Sequence, residues 1–213
     1  MIKAVIFDCW NTLFFTDLDP HPFVSFAKLL GEDFKNNYDY VKKFEKHLML
    51  EKHTNINVPI LSLLKELHIK PTKSLVNKLI KLMDVSRNEV GPYQDTFKVL
   101  NYIKSKYKLG LISNTDFLGY KTLQDKFKIE KIFDVSLPSF RFKISKPNSK
   151  IFNLMLEKLG VKSDEAVMIG DSFKDDYQAS KKQGLNAILI DRKSRYPNVK
   201  ERVTSLSGLL KLL

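Results

Sequence analysis

The feature that most constrains the fold is the apolar run Ala4-Val-Ile-Phe7, which is followed directly by Asp8. Four consecutive apolar residues predict a strand buried on both faces, as is typical of a parallel sheet. A carboxylate at the carboxyl end of the first strand of an open α/β sheet lies where such sheets bind ligands. The alternative is that Asp8 only caps a turn or a short helix, so the rest of the chain has to decide between the two.

Short apolar runs and helical patterns alternate through the second half of the chain. This alternation predicts a Rossmann-like α/β core, in which right-handed crossovers connect the strands of a parallel sheet. The predicted strands are residues 109–112, 133–136, 166–169 and 187–190, and the predicted helices are residues 96–106, 118–127, 148–159, 175–183 and 206–213.

A block of helical patterns interrupts this series after the first strand. Residues 14–20 are interpreted as a connection, because Pro20 prevents a helix from continuing through it. From residue 21 to residue 84 the apolar residues recur at helical spacing. The sequence therefore predicts a core domain of residues 1–16 and 91–213 with an inserted α-helical cap domain of residues 17–90.

Composition narrows the class of protein. The chain has 213 residues with an apolar fraction of 43%, which is enough for a packed core and argues against disorder. No apolar run reaches the length of a membrane span, and the N-terminus lacks the pattern of a signal peptide. The single cysteine, Cys9, excludes a disulfide framework and favours a reducing compartment. We therefore expect a cytoplasmic protein without a membrane partner, in which Cys9 has a packing role.

The net charge of +12 permits two interpretations. A basic chain attracts nucleic acids or small anionic metabolites, but the lysines are scattered along the whole sequence, as on a solvated surface. The sequence contains no helix-turn-helix, zinc-finger or RNA-binding pattern. We therefore expect a small anionic partner rather than a nucleic acid, and a monomer or homodimer.

Polar residues follow the predicted strands and would meet at one edge of the sheet. Asp8 follows the first strand, Ser113-Asn114 the second, and Asp171 the strand at 166–169, while Lys146 precedes a helix. Several carboxylates in one pocket repel one another unless a cation compensates them. Oxygen-only ligands suit Mg²⁺, and a lysine with a hydroxyl beside it suits a phosphate group.

This constellation resembles the haloacid dehalogenase superfamily, whose cores carry four such motifs in this order. Asp8 matches the nucleophile of the first motif, and Thr12-Leu13 matches the end of that motif. Ser113 matches the phosphate-binding residue of the second motif, and Lys146 the lysine of the third. The segment Gly170-Asp-Ser-Phe-Lys-Asp-Asp176 matches the acidic fourth motif. The insertion point matches that of the family's C1-type helical cap.

The resemblance implies a Mg²⁺-dependent phosphatase that hydrolyses a small phosphorylated metabolite through an aspartyl-phosphate. It assigns catalysis to Asp8 and Lys146, and phosphoryl binding to Ser113 and Lys146, with hydrogen bonds from Asn114 and Asn11. The implied metal ligands are Asp8, Asp171 and the backbone carbonyl of Trp10, and the supporting residues are Asp175, Asp176 and Thr12. Asp175 or Asp176 would bind the metal through water or orient Lys146.

One departure from the family pattern is Trp10, which occupies the position of the phosphatases' general acid/base. Its side chain cannot transfer a proton, so two alternatives stay open: a metal-independent 2-haloacid dehalogenase with Asp8 as nucleophile, and a catalytically weak binding module. Two features weigh against the dehalogenase. Asp171 is retained, and the sequence has no arginine before Arg87 to bind a substrate carboxylate.

Overall fold

The computed structural model describes residues 1–33 and 36–213 as a mixed α/β fold. The strands are β1 (Ala4–Phe7), β2 (Phe14–Thr16), β3 (Val90–Pro92), β4 (Lys108–Ser113), β5 (Val135–Pro138), β6 (Ala166–Gly170), β7 (Asn186–Ile190) and β8 (Arg202–Val203). The α-helices are α1 (Pro22–Leu29), α2 (Tyr38–Met49), α3 (Asn57–Glu66), α4 (Lys73–Asn88), α5 (Thr96–Lys104), α6 (Phe117–Phe127), α7 (Ser139–Phe142), α8 (Ser149–Leu159) and α9 (Ala179–Lys182). Three 3₁₀-helices span Ile129–Lys131, Ser163–Glu165 and Leu206–Lys211, and a π-helix spans Phe173–Gln178.

The central sheet is parallel and has the strand order β5-β4-β1-β6-β7-β8. Strand β1 lies between β4 and β6, and its last residue, Phe7, is opposite Leu111 of β4 and Ile169 of β6. This register brings the carboxyl ends of the three strands to the same edge of the sheet. The predicted α/β core is confirmed.

Both faces of the sheet are covered, as the continuous apolar run in β1 requires. Successive side chains of a strand point to opposite faces. Val5 and Phe7 accordingly pack in the cluster that contains α5 and α6, whereas Ala4 and Ile6 pack in the cluster that contains α8.

The helices α1–α4 form an insertion between β2 and β3, and we refer to them as the helical insertion. All four helices contribute to a separate apolar cluster, which includes Phe26, Phe44, Leu63 and Leu79. The insertion leaves and re-enters the core through the antiparallel pair of β2 and β3. The predicted domain boundaries at residues 17 and 90 stay a prediction.

Several sequence-based assignments are wrong in detail. Residues 14–16, interpreted as part of a connection, form β2. This strand could not be predicted, because its partner β3 lies about seventy-five residues away and both strands are too short to show a strand pattern. Strand β8 and helix α7 were not predicted either, because they are only two and four residues long. The strand expected at 133–136 is β5 at Val135–Pro138, and the last helix is a 3₁₀-helix at Leu206–Lys211.

The helix predicted for residues 175–183 begins instead as the π-helix Phe173–Gln178 and continues as α9. The carbonyl of Ser172 accepts hydrogen bonds from the backbone N–H groups of both Asp176 (3.0 Å) and Tyr177 (3.1 Å), which widens the first turn. Such turns are frequent at functional sites. No helix in residues 1–33 and 36–213 is both long and apolar enough to cross a membrane.

Gly110 of β4 tests the packing of α8 against the sheet. A Cβ atom added there would lie 2.6 Å from Sδ of Met155 and 3.2 Å from Cδ1 of Leu159. We expect Gly110→Ala to lower the free energy of unfolding by about 1–3 kcal/mol through overpacking. Urea denaturation measures this change. Gly91→Ala is the matched control, because a Cβ there meets no atom within 4 Å, and equal losses in both variants would contradict the packing described.

Candidate active site

Three carboxylates meet at the carboxyl edge of the sheet. Asp8 follows β1, Asp171 follows β6, and Asp176 lies in the π-helix; one oxygen of each lies within 4.8 Å of the others. Asp8 and Asp176 are buried and Asp171 is partly buried. The backbone N–H of Asp8 donates to the carbonyl of Ile169 at 2.8 Å, which ties the end of β1 to the neighbouring strand. The structure thus brings together residues that are far apart in the sequence.

Lys146 lies between two of these carboxylates. Its Nζ donates to Oδ1 of Asp8 and to Oδ1 of Asp176, both at 2.6 Å, and the residue is only 2% exposed. Burial by itself lowers the pKa of Lys146, but the negative charges of Asp176 and Asp8 outweigh it and hold that pKa above its ordinary value. The two carboxylates therefore favour the charged form of the ammonium group.

The cluster carries more negative than positive charge. When all three carboxylates are ionised, the one buried ammonium leaves two negative charges uncompensated within the cluster. Burial, together with the charges of Asp8 and Asp176, raises the pKa of Asp171 well above its ordinary value. Burial also raises the pKa of Asp176 to about 7, although Lys146 opposes the shift. The donor set is entirely oxygen and its charge is that of a site for a hard divalent cation, so the residues fit Mg²⁺.

Gly170 permits the close approach of Asp176 to the end of β6. A Cβ atom at this position would lie 2.2 Å from Oδ2 of Asp176. With glycine there, Oδ2 accepts a hydrogen bond from the backbone N–H of Ser172 at 3.0 Å. The glycine before Asp171 is therefore required by packing against a carboxylate of the site.

Ser113, the last residue of β4, offers an unused hydroxyl group. Its side chain is buried, and no hydrogen bond to Oγ is formed within the part of the chain that the structure describes. A buried hydroxyl without a partner is costly, and a bound oxyanion would supply one. Cys9 lies beside Ser113, and its burial raises the pKa of the thiol, so this cysteine is packed rather than reactive. Thr12 is likewise buried, and its Oγ1 is unpaired among residues 1–33 and 36–213.

Trp10 and Asn11 have mainly structural contacts. Nε1 of Trp10 donates to Oγ1 of Thr115 at 3.0 Å, which commits the only polar atom of the indole side chain. Asn11 is exposed, adopts a left-handed backbone conformation with φ 59°, and donates its backbone N–H to the carbonyl of Phe14. The phosphate contact predicted for Asn11 and the metal contact predicted for the Trp10 carbonyl stay predictions.

Asn114 holds the backbone of Lys146 on both sides. Its Oδ1 accepts from the N–H of Lys146 at 2.8 Å, and its Nδ2 donates to the carbonyl of Lys146 at 3.0 Å and to Glu45 at 3.2 Å. The side-chain amide is thus used to position the lysine. Its predicted hydrogen bond to a phosphoryl group stays a prediction.

Asp175 and Asp176 point to different partners although they are adjacent. Asp176 contacts Lys146, so it is the member of the pair that orients the lysine. Asp175 instead accepts hydrogen bonds from Tyr38 (2.9 Å) and Lys42 (3.0 Å) of α2. The acidic motif therefore contributes two residues, Asp171 and Asp176, to the carboxylate cluster, and a third, Asp175, to the contact with the helical insertion.

Three residues of α2 reach the site without having been predicted: Tyr38, Lys42 and Glu45. They occupy one face of the helix, next to the apolar stripe that contains Tyr40 and Phe44. A polar helix face is normally solvated, so the sequence offered no signal that separates this face from an ordinary surface.

Arg87, the first arginine in the sequence, is not free to bind a substrate. Its guanidinium donates to Asp84 at 3.0 Å and to Asp116 at 3.2 Å, and the residue is buried. Asp116 also caps α6 by accepting from the backbone N–H of Gly119. The role of Arg87 is thus to hold the end of α4 against the start of α6.

Comparison with known protein families gives a match to the model for haloacid dehalogenase-like hydrolases over residues 24–190. The chain belongs to the haloacid dehalogenase-like hydrolases. The helical insertion lies largely within the matched segment, as does the end of every core strand except β1 and β8.

Individual relatives of this haloacid dehalogenase-like hydrolase include phosphatases and dehalogenases. A glyceraldehyde 3-phosphate phosphatase of Methanothermobacter thermautotrophicus is 28% identical over 202 residues, which cover 90% of this chain and 86% of the relative. An (S)-2-haloacid dehalogenase of Burkholderia cepacia is 27% identical over 156 residues, 70% of this chain and 65% of the relative. The crystal structure of a phosphatase of the same superfamily from Thermococcus onnurineus superposes with a TM-score of 0.67 at 21% identity, covering 99% of this chain and 97% of that one.

The charge of the cluster predicts how magnesium and pH affect stability. The pKa of Asp176 is about 7 in the folded chain, against an ordinary value of 3.8. Between these pH values the folded chain holds a proton that the unfolded chain has lost, so this group's contribution to stability decreases as pH rises through the window. We expect Mg²⁺ to raise the melting temperature by about 5–10 °C at about pH 8, at a hundredfold excess over its dissociation constant. At about pH 5 the rise should be much smaller, because protons compete for the same oxygens.

Thermal unfolding monitored by circular dichroism, with and without Mg²⁺, measures this difference. Asp171→Asn removes one carboxylate and should abolish most of the magnesium effect at pH 8, whereas the exposed change Asp164→Asn should leave it intact. A magnesium effect that is the same at both pH values, or that survives in Asp171→Asn, would contradict the assignment of this cluster as the cation site.

Proposed function

We propose that this chain is a Mg²⁺-dependent phosphatase that hydrolyses a small phosphate ester. The observation that carries the proposal is the buried cluster of Asp8, Asp171 and Asp176 around one lysine. Its net negative charge calls for a divalent cation, and the unpaired hydroxyl of Ser113 at the same edge of the sheet offers a donor to a phosphoryl oxygen. The resemblance to the phosphatase of Methanothermobacter thermautotrophicus along most of both chains supports the same substrate class.

In the proposed reaction, a carboxylate oxygen of Asp8 attacks phosphorus in line with the leaving oxygen. The bond from phosphorus to the leaving group breaks, and Asp8 becomes an aspartyl-phosphate. Water then attacks phosphorus and the bond to the aspartyl oxygen breaks. Inorganic phosphate is released, and the free carboxylate of Asp8 is regenerated. Lys146 stabilises negative charge on the phosphoryl oxygens and holds Asp8 in place, and Ser113 donates to one of those oxygens.

The groups that would hold Mg²⁺ are Asp8, Asp171 and the carbonyl of Trp10, with Asp176 close to them. When bound, the cation supplies positive charge that offsets the repulsion between the carboxylates and the phosphate. Thr12 has a supporting role beside Asp8, and Asn11 and Asn114 would donate hydrogen bonds to the phosphoryl group. Such an arrangement acts on soluble phosphorylated metabolites, and with one buried cysteine it is compatible with the cytoplasm.

We further propose that the helical insertion, residues 17–90, is a cap over the core of residues 1–16 and 91–213. Its helix α2 contacts Asp175 in the π-helix and the segment that carries Lys146. A cap placed there excludes water and selects the leaving group.

Leaving-group chemistry follows from Trp10. Because its indole cannot donate a proton to the leaving oxygen, the loss of a general acid costs about 10²–10⁴ in rate. Esters whose leaving oxygen is a weak base are least affected, so aryl phosphates are suitable probes.

A dehalogenase is the second candidate, since Trp10 suits a halide that leaves without a proton and a haloacid dehalogenase is among the relatives. Two observations weigh against it. Asp171, a carboxylate that a metal-independent enzyme does not need, is present in the cluster. The guanidinium of Arg87 donates hydrogen bonds to Asp84 and Asp116 instead of facing the site.

Turnover of an aryl phosphate with and without Mg²⁺ tests the proposal. We expect activity that requires Mg²⁺ and falls by at least about a hundredfold in Asp8→Asn, because the amide is a poor nucleophile. The matched control is Asp125→Asn, an exposed carboxylate paired with Lys121, which should retain full activity. Halide release from a 2-haloacid without metal would favour the dehalogenase, and no turnover across a broad panel would favour a binding module.

A further inference from the structure

One face of α2 is built from polar side chains that contact the core. Tyr38, Lys42 and Glu45 are spaced by four and three residues, so they lie on the same side of the helix. Tyr38 and Lys42 contact Asp175, Lys42 contacts the carbonyl of Lys146, and Glu45 contacts Asn114. The three contact points follow β4, precede α8 and follow β6, which are the segments that carry Ser113, Lys146 and Asp171.

The ammonium group of Lys42 has an acceptor for each of its three protons. Nζ lies 2.7 Å from Oε2 of Glu45, 3.0 Å from Oδ2 of Asp175 and 3.2 Å from the carbonyl of Lys146. Burial alone lowers the pKa of Lys42, but the charges of Glu45 and Asp175 outweigh it and raise that pKa. Lys42 is therefore a charged link between α2 and two segments of the core.

Glu45 provides a second connection from α2 to the backbone of Lys146, through the side chain of Asn114. Oε1 of Glu45 accepts from Nδ2 of Asn114, whose amide is also bonded to both the N–H and the carbonyl of Lys146. The carbonyl of Lys146 is thus held by Asn114 and by Lys42 at once. The side chain that leaves this backbone ends between Asp8 and Asp176.

We propose that Lys42 and Glu45 are positioning residues, which act through Asn114 and the backbone of Lys146 to place the ammonium group of Lys146 against Asp8. Docking of α2 on the core thereby couples the position of the helical insertion to the charge arrangement around the nucleophile. The consequence for turnover rests on the proposed phosphatase function, whereas the positional coupling does not.

Other contacts attach the insertion to the core independently of this face. Oγ of Ser139 donates to the carbonyl of Met49 at 2.6 Å, Oγ1 of Thr16 donates to the carbonyl of Ser86, and Arg87 pairs with Asp116. Because these contacts remain when Lys42 is changed, a Lys42 variant changes the alignment of α2 without releasing the insertion. The role of Lys42 is therefore separable from the attachment of the insertion.

The ammonium resonance of Lys146, observed by NMR in isotope-labelled protein, reports its position without any need for turnover. A buried ammonium held by two carboxylates is protected from exchange with water, and Lys146→Met assigns its signal. We expect Lys42→Met to shift or broaden this resonance, and Lys42→Arg to restore it in large part. The matched control is Lys46→Met, which removes a lysine of the same helix that pairs with Glu66 inside the insertion and should change nothing.

In the same variants, we expect Lys42→Met to lower kcat on an aryl phosphate by about 10- to 100-fold, as a misplaced catalytic group does. The melting temperature should fall, because Glu45 and Asp175 lose their cation, but the insertion should stay attached through its other contacts. Glu45→Gln keeps an acceptor for Asn114 but weakens the ion pair with Lys42, so it should change the Lys146 resonance and kcat less than Lys42→Met does. If Lys42→Met does not fold, Glu45→Gln provides the test in its place. A Lys146 resonance that is unchanged in Lys42→Met and in Glu45→Gln overturns the proposal. A shifted resonance in a protein that hydrolyses no phosphate ester supports the coupling and contradicts the phosphatase function instead.

Discussion

The contact on which the structure depends is the ammonium group of Lys146 held between Asp8 and Asp176. A buried charge is tolerated only when it is paired and hydrogen-bonded, and breaking such a pair costs about 3–5 kcal/mol. The surrounding fold meets this requirement in several places. The parallel sheet places Asp8 beside Asp171, Gly170 leaves room for Asp176, and Asn114 fixes the backbone of the lysine.

The same contact explains why the site suits phosphate chemistry. One ammonium cannot neutralise three carboxylates, and the pKa values of Asp171 and Asp176 are raised by burial first and by the repulsion between the carboxylates second. A divalent cation bound there would relieve that repulsion and would offset the charge of a dianionic ester. Trp10 is the departure from this pattern, because it removes the expected proton donor while leaving the carboxylate cluster intact.

Much of the core could be predicted, because a parallel sheet requires strands that are apolar throughout and places their carboxyl ends together. That rule was sufficient to bring Asp8 and Asp171 into one site, whereas Lys146, which precedes a helix, was assigned to it through the resemblance to the haloacid dehalogenase superfamily. It could not separate Asp175 from Asp176, since their different directions arise in the π-helix, whose widened turn has no signature in the sequence. Nor could it find Lys42 and Glu45, because a polar helix face looks the same whether it meets water or another part of the chain.

The central claim is that Asp8 is a nucleophile beside a divalent cation, and fluorine NMR with beryllium fluoride as a phosphoryl analogue tests it most directly. The account predicts that bound-fluoride resonances appear when both beryllium fluoride and Mg²⁺ are present and disappear in Asp8→Asn, with Asp125→Asn unchanged. Bound resonances that persist in Asp8→Asn, or the absence of any bound resonance in the wild-type protein, would contradict it.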